Sequence, residues 1–462
     1  MKKLQVMLKR KIDNIIEDHY NSSNKALFLT GARQAGKTYA IRKYAARHKL
    51  HLVEMNFLLQ PETIAVIKGS GDVKELLLRI SAYTQAPLEP GHTMIFFDEV
   101  QEYADVMTWI KALVDEGSYF YALSGSLLGV ELKNVRSVPT GYMSEHRIFP
   151  MDFEEFLEAL GTTAQVIDNV RNAWETQSPV DDYIHSKMMQ FFHLYLIVGG
   201  MPAAVQAYVD TNNLQRVYAE QDAILKLYKK DIAKHIEEED KKLYVNEIFD
   251  LIPSELNARN KRFILKRLNE YMTFSRHESD FIWLKNADMA LPTYNVEAPV
   301  APLKLNEQRN LFKLFQNDVG LLASQYAGGI QLKILQGDIN VNHGAIYENA
   351  VAQELHAHGW PLYYFNSKKS GEIDLLLESD AEVVPVEVKS GKNYERHNAL
   401  NNILAVPNYS IKKAIVFHND NVHMKGRIVY APVYMVMFLH RQPKPEELIY
   451  KIDPIQLPDE HA

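Results

Sequence analysis

Over the first 150 residues, short apolar runs alternate with longer stretches whose apolar positions recur at helical spacing. Residues 26–30 (ALFLT), 51–57 (HLVEMNF), 93–97 (TMIFF), 119–125 (YFYALSG) and 146–150 (HRIFP) read as strands. Between them, residues 37–49 have helical composition without Gly or Pro, and a leucine-rich helix over 73–83 is closed off by Pro87, Pro90 and Gly91. Before them, Leu4, Leu8, Ile12, Ile15 and Ile16 space a leading helix within residues 1–25. Strand and helix in alternation predict a mostly parallel sheet covered by helices on both faces, over residues 26–150.

The pattern changes after residue 150. An acidic amphipathic helix is expected over 152–160 (DFEEFLEAL), with further helices across 185–209 broken by Gly199, Gly200, Met201 and Pro202. Residues 241–269 read as two helices around Pro253, the second carrying Arg259, Lys261, Arg262, Lys266 and Arg267. Residues 281–285 (FIWLK) and 291–296 (LPTYNV) then read as strands. Helix, turn, basic helix and hairpin is the order of a winged helix, whose second helix enters DNA in DNA-binding members. The same basic face also suits solvent or a contact within the protein. Over 341–440 the order is helix (343–358), strands (361–365, 371–378, 383–389), helix (393–404) and strand (412–418), with a tail from 441 to 462.

Composition narrows the classes. With 462 residues and 47% hydrophobic content the chain has room for more than one core, and a formal charge of −7 argues against wholesale coating of nucleic acid. The absence of cysteine excludes disulfides, thiolate zinc sites and cysteine nucleophiles. The longest apolar run, residues 433–439, is far too short for a membrane span, and no apolar signal core follows the N-terminal lysines, so a cytoplasmic protein without membrane contact is expected.

Two constellations carry chemistry. Residues 31–38 read GARQAGKT, the P-loop pattern, with Gly31, Gly36, Lys37 and Thr38 at its fixed positions. The glycines let backbone N–H groups close around phosphate, Lys37 reaches the β/γ-phosphates, and Thr38 offers its hydroxyl to Mg2+ at a helix start. Ala32, Arg33, Gln34, Ala35 and Tyr39 complete the expected ATP contacts. The strand at 93–97 ends in Asp98, expected on magnesium, and Glu99, expected to polarise the attacking water. Ser124, at the end of the next strand, either senses the γ-phosphate or begins a turn. In the C-terminal part, Glu348 shares the apolar helix face of Ala345 and Ala352, Asp374 lies opposite Ile373 and Leu375, and Glu387 and Lys389 share a strand face. Asp followed by Glu-x-Lys is the arrangement of PD-(D/E)XK nucleases, where carboxylates bind magnesium and the lysine steadies developing charge.

These stretches together resemble a family of bacterial and archaeal AAA-type ATPases that join a P-loop ATPase to a C-terminal winged-helix and nuclease-like domain of unknown function. The resemblance runs from about residue 26 to about residue 392 through GARQAGKT, IFFDEVQ, LSGS (123–126), FPMDFEEFL (149–157), VGGMPAAV (198–205), LFKLFQNDVGLL (311–322), GEIDLLL and PVEVKSGK (385–392). It implies an α/β multidomain protein with a restriction-endonuclease-like C-terminal domain, nucleotide contacts at Gly36, Lys37 and Thr38, and a hydrolytic pair in Asp98 and Glu99. Many members carry Gly-Arg before the FP segment, whereas here Tyr142 follows Gly141, leaving Arg136 and Arg147 as nearby candidates for an arginine finger. Three functions follow as expectations: an ATP-hydrolysing switch or motor, an ATP-regulated magnesium-dependent DNA nuclease, or a nucleotide-binding scaffold with an inert nuclease-like domain. The partners they imply are DNA, a protein partner or further copies of the chain.

Overall fold

In a computed structural model the chain is described at residues 8–125, 141–236, 238–258, 261–267, 270, 273–338 and 343–442. Leu4, Ser126, Arg136, Arg259 and residues 443–462 of the tail lie outside the described residues. The leading helix is α1 (Lys11–Ser22), which buries Ile12 and Ile16 and turns Ile15 outward. The sheet that follows is built from β1 (Ala26–Gly31), β2 (His51–Asn56), β3 (Thr93–Asp98), β4 (Phe120–Ser124) and β5 (Met143–Ile148). Helices α2 (Lys37–Arg47), α3 (Thr63–Ile67), α4 (Val73–Thr84) and α5 (Ile110–Glu116) connect or follow the strands.

All neighbours in the order β2-β3-β4-β1-β5 are parallel. β1 and β3 are buried at every position, as central strands covered on both faces must be. Alternate residues divide between two cores. Phe28, Val53, Ile95, Phe97 and Leu123 pack with residues of α4 and α5, while Leu27, Leu29, Met94, Phe96 and Ala122 pack with those of α1 and α2.

The middle of the chain is helical: α6 (Phe153–Ala159), α7 (Ala164–Thr176), α8 (Asp182–Val198), α9 (Pro202–Thr211), α10 (Leu214–His235), α11 (Glu239–Asn257) and α12 (Phe274–Asn286). Then come β6 (Ala290–Val296), β7 (Glu307–Gln316), α13 (Val319–Ser324) and α14 (Gly328–Leu335). Asp152 and Glu155 form a reciprocal capping box on α6.

Three expectations fail here. Pro253 does not divide two helices; it lies inside α11, near its end, where the ring removes one intrahelical hydrogen bond. Among the described residues the expected basic second helix is not formed, and a 3-10 turn at Leu265–Arg267 is found there. Residues 281–285, expected as a strand, are the last turns of α12. Phe274, seven positions before Phe281, shows the two-turn spacing that the five apolar-rich residues hide when taken alone. A winged helix in the expected form is therefore not confirmed.

The C-terminal part runs α15 (Gly344–Ala357), β8 (Tyr363–Ser367), β9 (Gly371–Ser379), β10 (Glu382–Val388), α16 (Asn398–Leu404), β11 (Ala414–His418), β12 (His423–Lys425) and β13 (Ile428–Pro432). Through β11 this is the expected order of helix and strands. The sheet, however, is larger than residues 341–440 supply: its order is β12-β13-β11-β10-β9-β8-β6-β7. β6 pairs in parallel with β8 and antiparallel with β7, so the hairpin from the middle region completes the C-terminal sheet. The apolar run at 433–438 forms 3-10 turns buried in the same core as α8, α13 and α15. No helix among the described residues is long and apolar enough to cross a membrane.

Candidate functional site

The loop between β1 and α2 has the shape its glycines permit. Gly31 and Gly36 adopt φ of 130° and 99°, and a Cβ on Gly31 would meet the backbone of Ile148, with the carbonyl carbon 3.1 Å away. Lys37 is buried, and its Nζ donates to the carbonyls of Gly31 and Ala32 at 2.9 Å each. Burial lowers its pKa from the ordinary lysine value, although Glu99 and Asp98 favour the charged form. The loop's own carbonyls thus fix this cation at the edge of the adjoining cavity.

Asp98 ends β3 almost without solvent. It accepts from Thr38 Oγ1 at 3.1–3.2 Å, from Asn56 Nδ2 at 2.7 Å and from the hydroxyl of Ser124. Burial raises its pKa, and the hydrogen bonds from Ser124 and Thr38 oppose that rise. Glu99 follows in the left-handed region with φ 58°, and its carboxylate accepts from the side-chain amide of Gln101. Its backbone N–H reaches Ser124 Oγ at 3.5 Å. Ser124 therefore contacts Asp98 and the Glu99 backbone, and is not among the residues facing the adjoining cavity.

That cavity has a volume of about 710 Å3, within the range of small-molecule sites. Arg33, Gln34, Gly36, Lys37, Thr38, Tyr39, Asp98 and Glu99 line it as expected, whereas Ala32 and Ala35 pack into the core under the loop. Thr38 and Asp98 offer the hydroxyl and carboxylate that suit magnesium, so the residues present fit that ion.

Other walls were not legible in the sequence. Arg10, just before α1, donates to the carbonyls of Ala35 and Phe149 at 3.1 and 2.8 Å and to Glu155 at 3.1 Å. It pins the leading helix to the P-loop and carried no sequence signal. Asn56 ends β2 beside Asp98 and likewise carried no sequence signal. Pro202 and Gln206 of α9 also line the cavity, and the Gly-Gly-Met-Pro break was the sign that a helix starts there. Arg147 pairs with Asp288 and lies over the Phe149 ring, away from the cavity lining.

The second constellation also converges. Glu348 of α15, Asp374 of β9, Glu387 of β10 and Lys389 just after it come together, and all three carboxylates are buried. Two unexpected ammonium groups stand among them. Lys313 of β7, fully buried, lies 2.7 Å from Glu372, 3.5 Å from Glu348 and 3.9 Å from Asp374. Lys261 pairs with Glu348, and Lys389 with Glu387. Burial alone would lower the pKa of Lys313, but Glu348, Glu372 and Asp374 outweigh it and hold the group above its ordinary value. For Asp374, burial acts upward while Lys261, Lys313 and Lys389 prevail and lower it.

The Lys313 ammonium stands among Glu348, Glu372 and Asp374, where a divalent ion shared by Glu348 and Asp374 would have to sit. Among the described residues no group of three or more His, Cys, Asp or Glu is placed to hold a metal. A nuclease-like site at Glu348, Asp374, Glu387 and Lys389 is not confirmed. Lys313 had a signal: it is a lone charge between Phe312 and Leu314 in an otherwise apolar run.

Comparison with known proteins agrees with the N-terminal geometry. Residues 23–157 match the family model described as AAA domain. Residues 189–331 and 343–435 match two domains of unknown function, DUF8612 and DUF4143. Among solved structures, the Walker-type ATPase of Pyrococcus abyssi is 14% identical, with a TM-score of 0.41 over 69% of this chain and 96% of that one. The Orc1 protein of Aeropyrum pernix, solved in complex with DNA, is 12% identical, with a TM-score of 0.30 over 72% of this chain and 94% of its own. Cdc6p of Pyrobaculum aerophilum is also 12% identical, with a TM-score of 0.26 over 72% and 96%. No curated protein matches the chain. With the GARQAGKT loop, the Asp98–Glu99 strand end and an all-parallel sheet beside that match, the N-terminal region is similar to AAA domains and has the layout of a P-loop nucleotide-binding fold.

Proposed function

We propose that the chain binds ATP with magnesium in the 710 Å3 cavity and hydrolyses it slowly, acting as a nucleotide-dependent switch. The observation that carries this reading is the convergence of Lys37, Thr38, Asp98 and Glu99 on one cavity wall. Lys37 exchanges the carbonyls of Gly31 and Ala32 for phosphate oxygens. Thr38 and Asp98 would hold magnesium, which neutralises phosphate charge when bound. Glu99 orients and deprotonates the attacking water, and Ser124 keeps Asp98 and the Glu99 backbone in register. Gln101, bonded to Glu99, must release that carboxylate before the base can work, which supports a slow basal rate.

Phosphate release and nucleotide binding by wild type, Glu99→Gln and Lys37→Ala test the proposal. Binding kept and turnover lost in Glu99→Gln, with binding lost in Lys37→Ala, is the expected pattern. Turnover that survives Glu99→Gln would remove the assignment. A DNA-cutting role draws no support from the lysine-filled carboxylate cluster. Of the basic residues between Pro253 and β6, Lys261 is paired with Glu348 and Arg267 with Glu255.

A further inference from the structure

Arg33, third residue of the P-loop, borders two spaces. On one side it lines the cavity with Lys37 and Glu99. On the other it lines a crevice of about 30 Å3 with Lys37, Glu99, Gln101, Asp231 and His235. Its guanidinium is ion-paired across that crevice with Asp231, near the end of α10. Close by, Lys234 pairs at 2.6 Å with Glu102, three residues after Glu99. The end of α10 thus holds both loops from which the ATPase side chains project.

Asp231 is out of place by two criteria. An acid near a helix C-terminus opposes the helix dipole, so it does not serve α10 itself. It also adds a carboxylate beside Glu99, in the crevice that adjoins a site that must receive a polyanion. Burial, and then Glu99, push its pKa up, while Arg33 pulls it down. Its service is to Arg33, and the incoming phosphate competes for the same guanidinium.

We infer that Arg33 is the side chain that contacts the terminal phosphate of ATP, and that Asp231 is its resting counter-ion, released when that phosphate arrives. The inference rests on the ATP reading above and names how the site tells ATP from ADP. ADP, lacking the terminal phosphate, leaves the Arg33–Asp231 pair intact. ATP breaks it and frees the end of α10. That helix packs on α9, whose first residues line the cavity, and on α11 and α13, so its release reaches the helical region.

The test measures Kd for ADP and for a non-hydrolysable ATP analogue, each with magnesium, in wild type, Arg33→Gln, Arg33→Lys and Asp231→Asn. Arg33→Gln should weaken the analogue by about tenfold to a hundredfold, the worth of a charge-assisted contact, and leave ADP nearly unchanged. Asp231→Asn should tighten the analogue about tenfold without affecting ADP, and Arg33→Lys should recover part of the lost preference. Hydrogen exchange over residues 228–236 should rise with the analogue and not with ADP in wild type, and should not respond in Arg33→Gln. Equal weakening of both nucleotides by Arg33→Gln, or an unchanged analogue-to-ADP ratio in Asp231→Asn, overturns the inference while leaving the ATP reading intact. Wild type that binds neither nucleotide overturns both. If Arg33→Gln does not fold, Asp231→Asn and Arg33→Lys decide the matter.

Discussion

Replacing Lys313 with methionine asks whether the buried ammonium holds the C-terminal sheet together. Methionine keeps much of the volume, so the change is mainly electrostatic. It leaves Glu348, Glu372 and Asp374 without the cation they share. Removing one partner of a buried ion pair costs about 3–5 kcal/mol. Two features place this case at the lower end. Glu372 is 26% exposed and can rehydrate, and Lys261 remains on Glu348. A loss of about 3 kcal/mol is therefore expected at pH 8, and it should lower the Tm by roughly 6–12 °C for a cooperative unit of this size. The loss should shrink at pH 5, because buried Glu348, whose pKa burial already raises, takes up a proton once a cation is removed, and a raised pKa contributes stability that fades as pH rises. Circular dichroism melts at the two pH values, with Glu372→Gln added to Lys313→Met to restore part of the loss, measure this directly. A Lys313→Met protein as stable as wild type at pH 8 would refute the reasoning. So would a rise in wild-type Tm on adding manganese without nucleotide, if Asp374→Asn abolished it.

Other expectations follow from single contacts. Glu99→Gln should lower turnover by about a hundredfold or more while ATP still raises the Tm, since general-base assistance is worth that much. Gly200→Ala should cost about 3 kcal/mol, seen as a lower Tm, because its Cβ would collide with the Met151 carbonyl oxygen and lie 2.7 Å from the Met151 nitrogen. Asp318 is buried and accepts from the N–H groups of Gly200 and Leu321 at 2.6 and 3.0 Å; burial outweighs these and lifts its pKa to about 6. With a raised folded-state value, its contribution is complete below the ordinary carboxylate pKa and disappears as pH rises through about 6. The stability difference between wild type and Asp318→Asn should accordingly change by about 3 kcal/mol between pH 3 and pH 7, in favour of the variant at the higher pH.

The legible parts of the chain were those where local pattern and burial agree. GARQAGKT sits between a short buried strand and a helix, and TMIFFDE ends a strand where ligands collect, so motif and context together pointed to Lys37, Thr38, Asp98 and Glu99 as neighbours in one place. Glu348, Asp374, Glu387 and Lys389 were found because period two and period 3.6 put each on a definite face. What those rules do not carry is the identity of a neighbour from another element. Lys313 arrives from β7, Arg10 from the segment before α1, and Asp231 from α10, all distant in sequence from what they touch. Residues 281–285 misled for a different reason. A short window of large apolar residues fits a strand and a buried helical turn equally well, and only the longer window containing Phe274 separates them.

The eight-stranded sheet also dictates an order of events during synthesis. The hairpin of β6 and β7 leaves the ribosome first, with Tyr294, Asn295 and Val296 presenting an unpaired backbone edge. Their partners Tyr363, Tyr364 and Phe365 emerge only after α13, α14 and α15 have been made. Until then the hairpin has an open flank, and Lys313 lacks Glu348, Glu372 and Asp374. A fragment starting at residue 341 inherits the converse defect: β8 is left as a bare margin and the carboxylates are left without Lys261 and Lys313. The last quarter of this protein is thus not a detachable module, and its folding is a closure between an early and a late part of the chain.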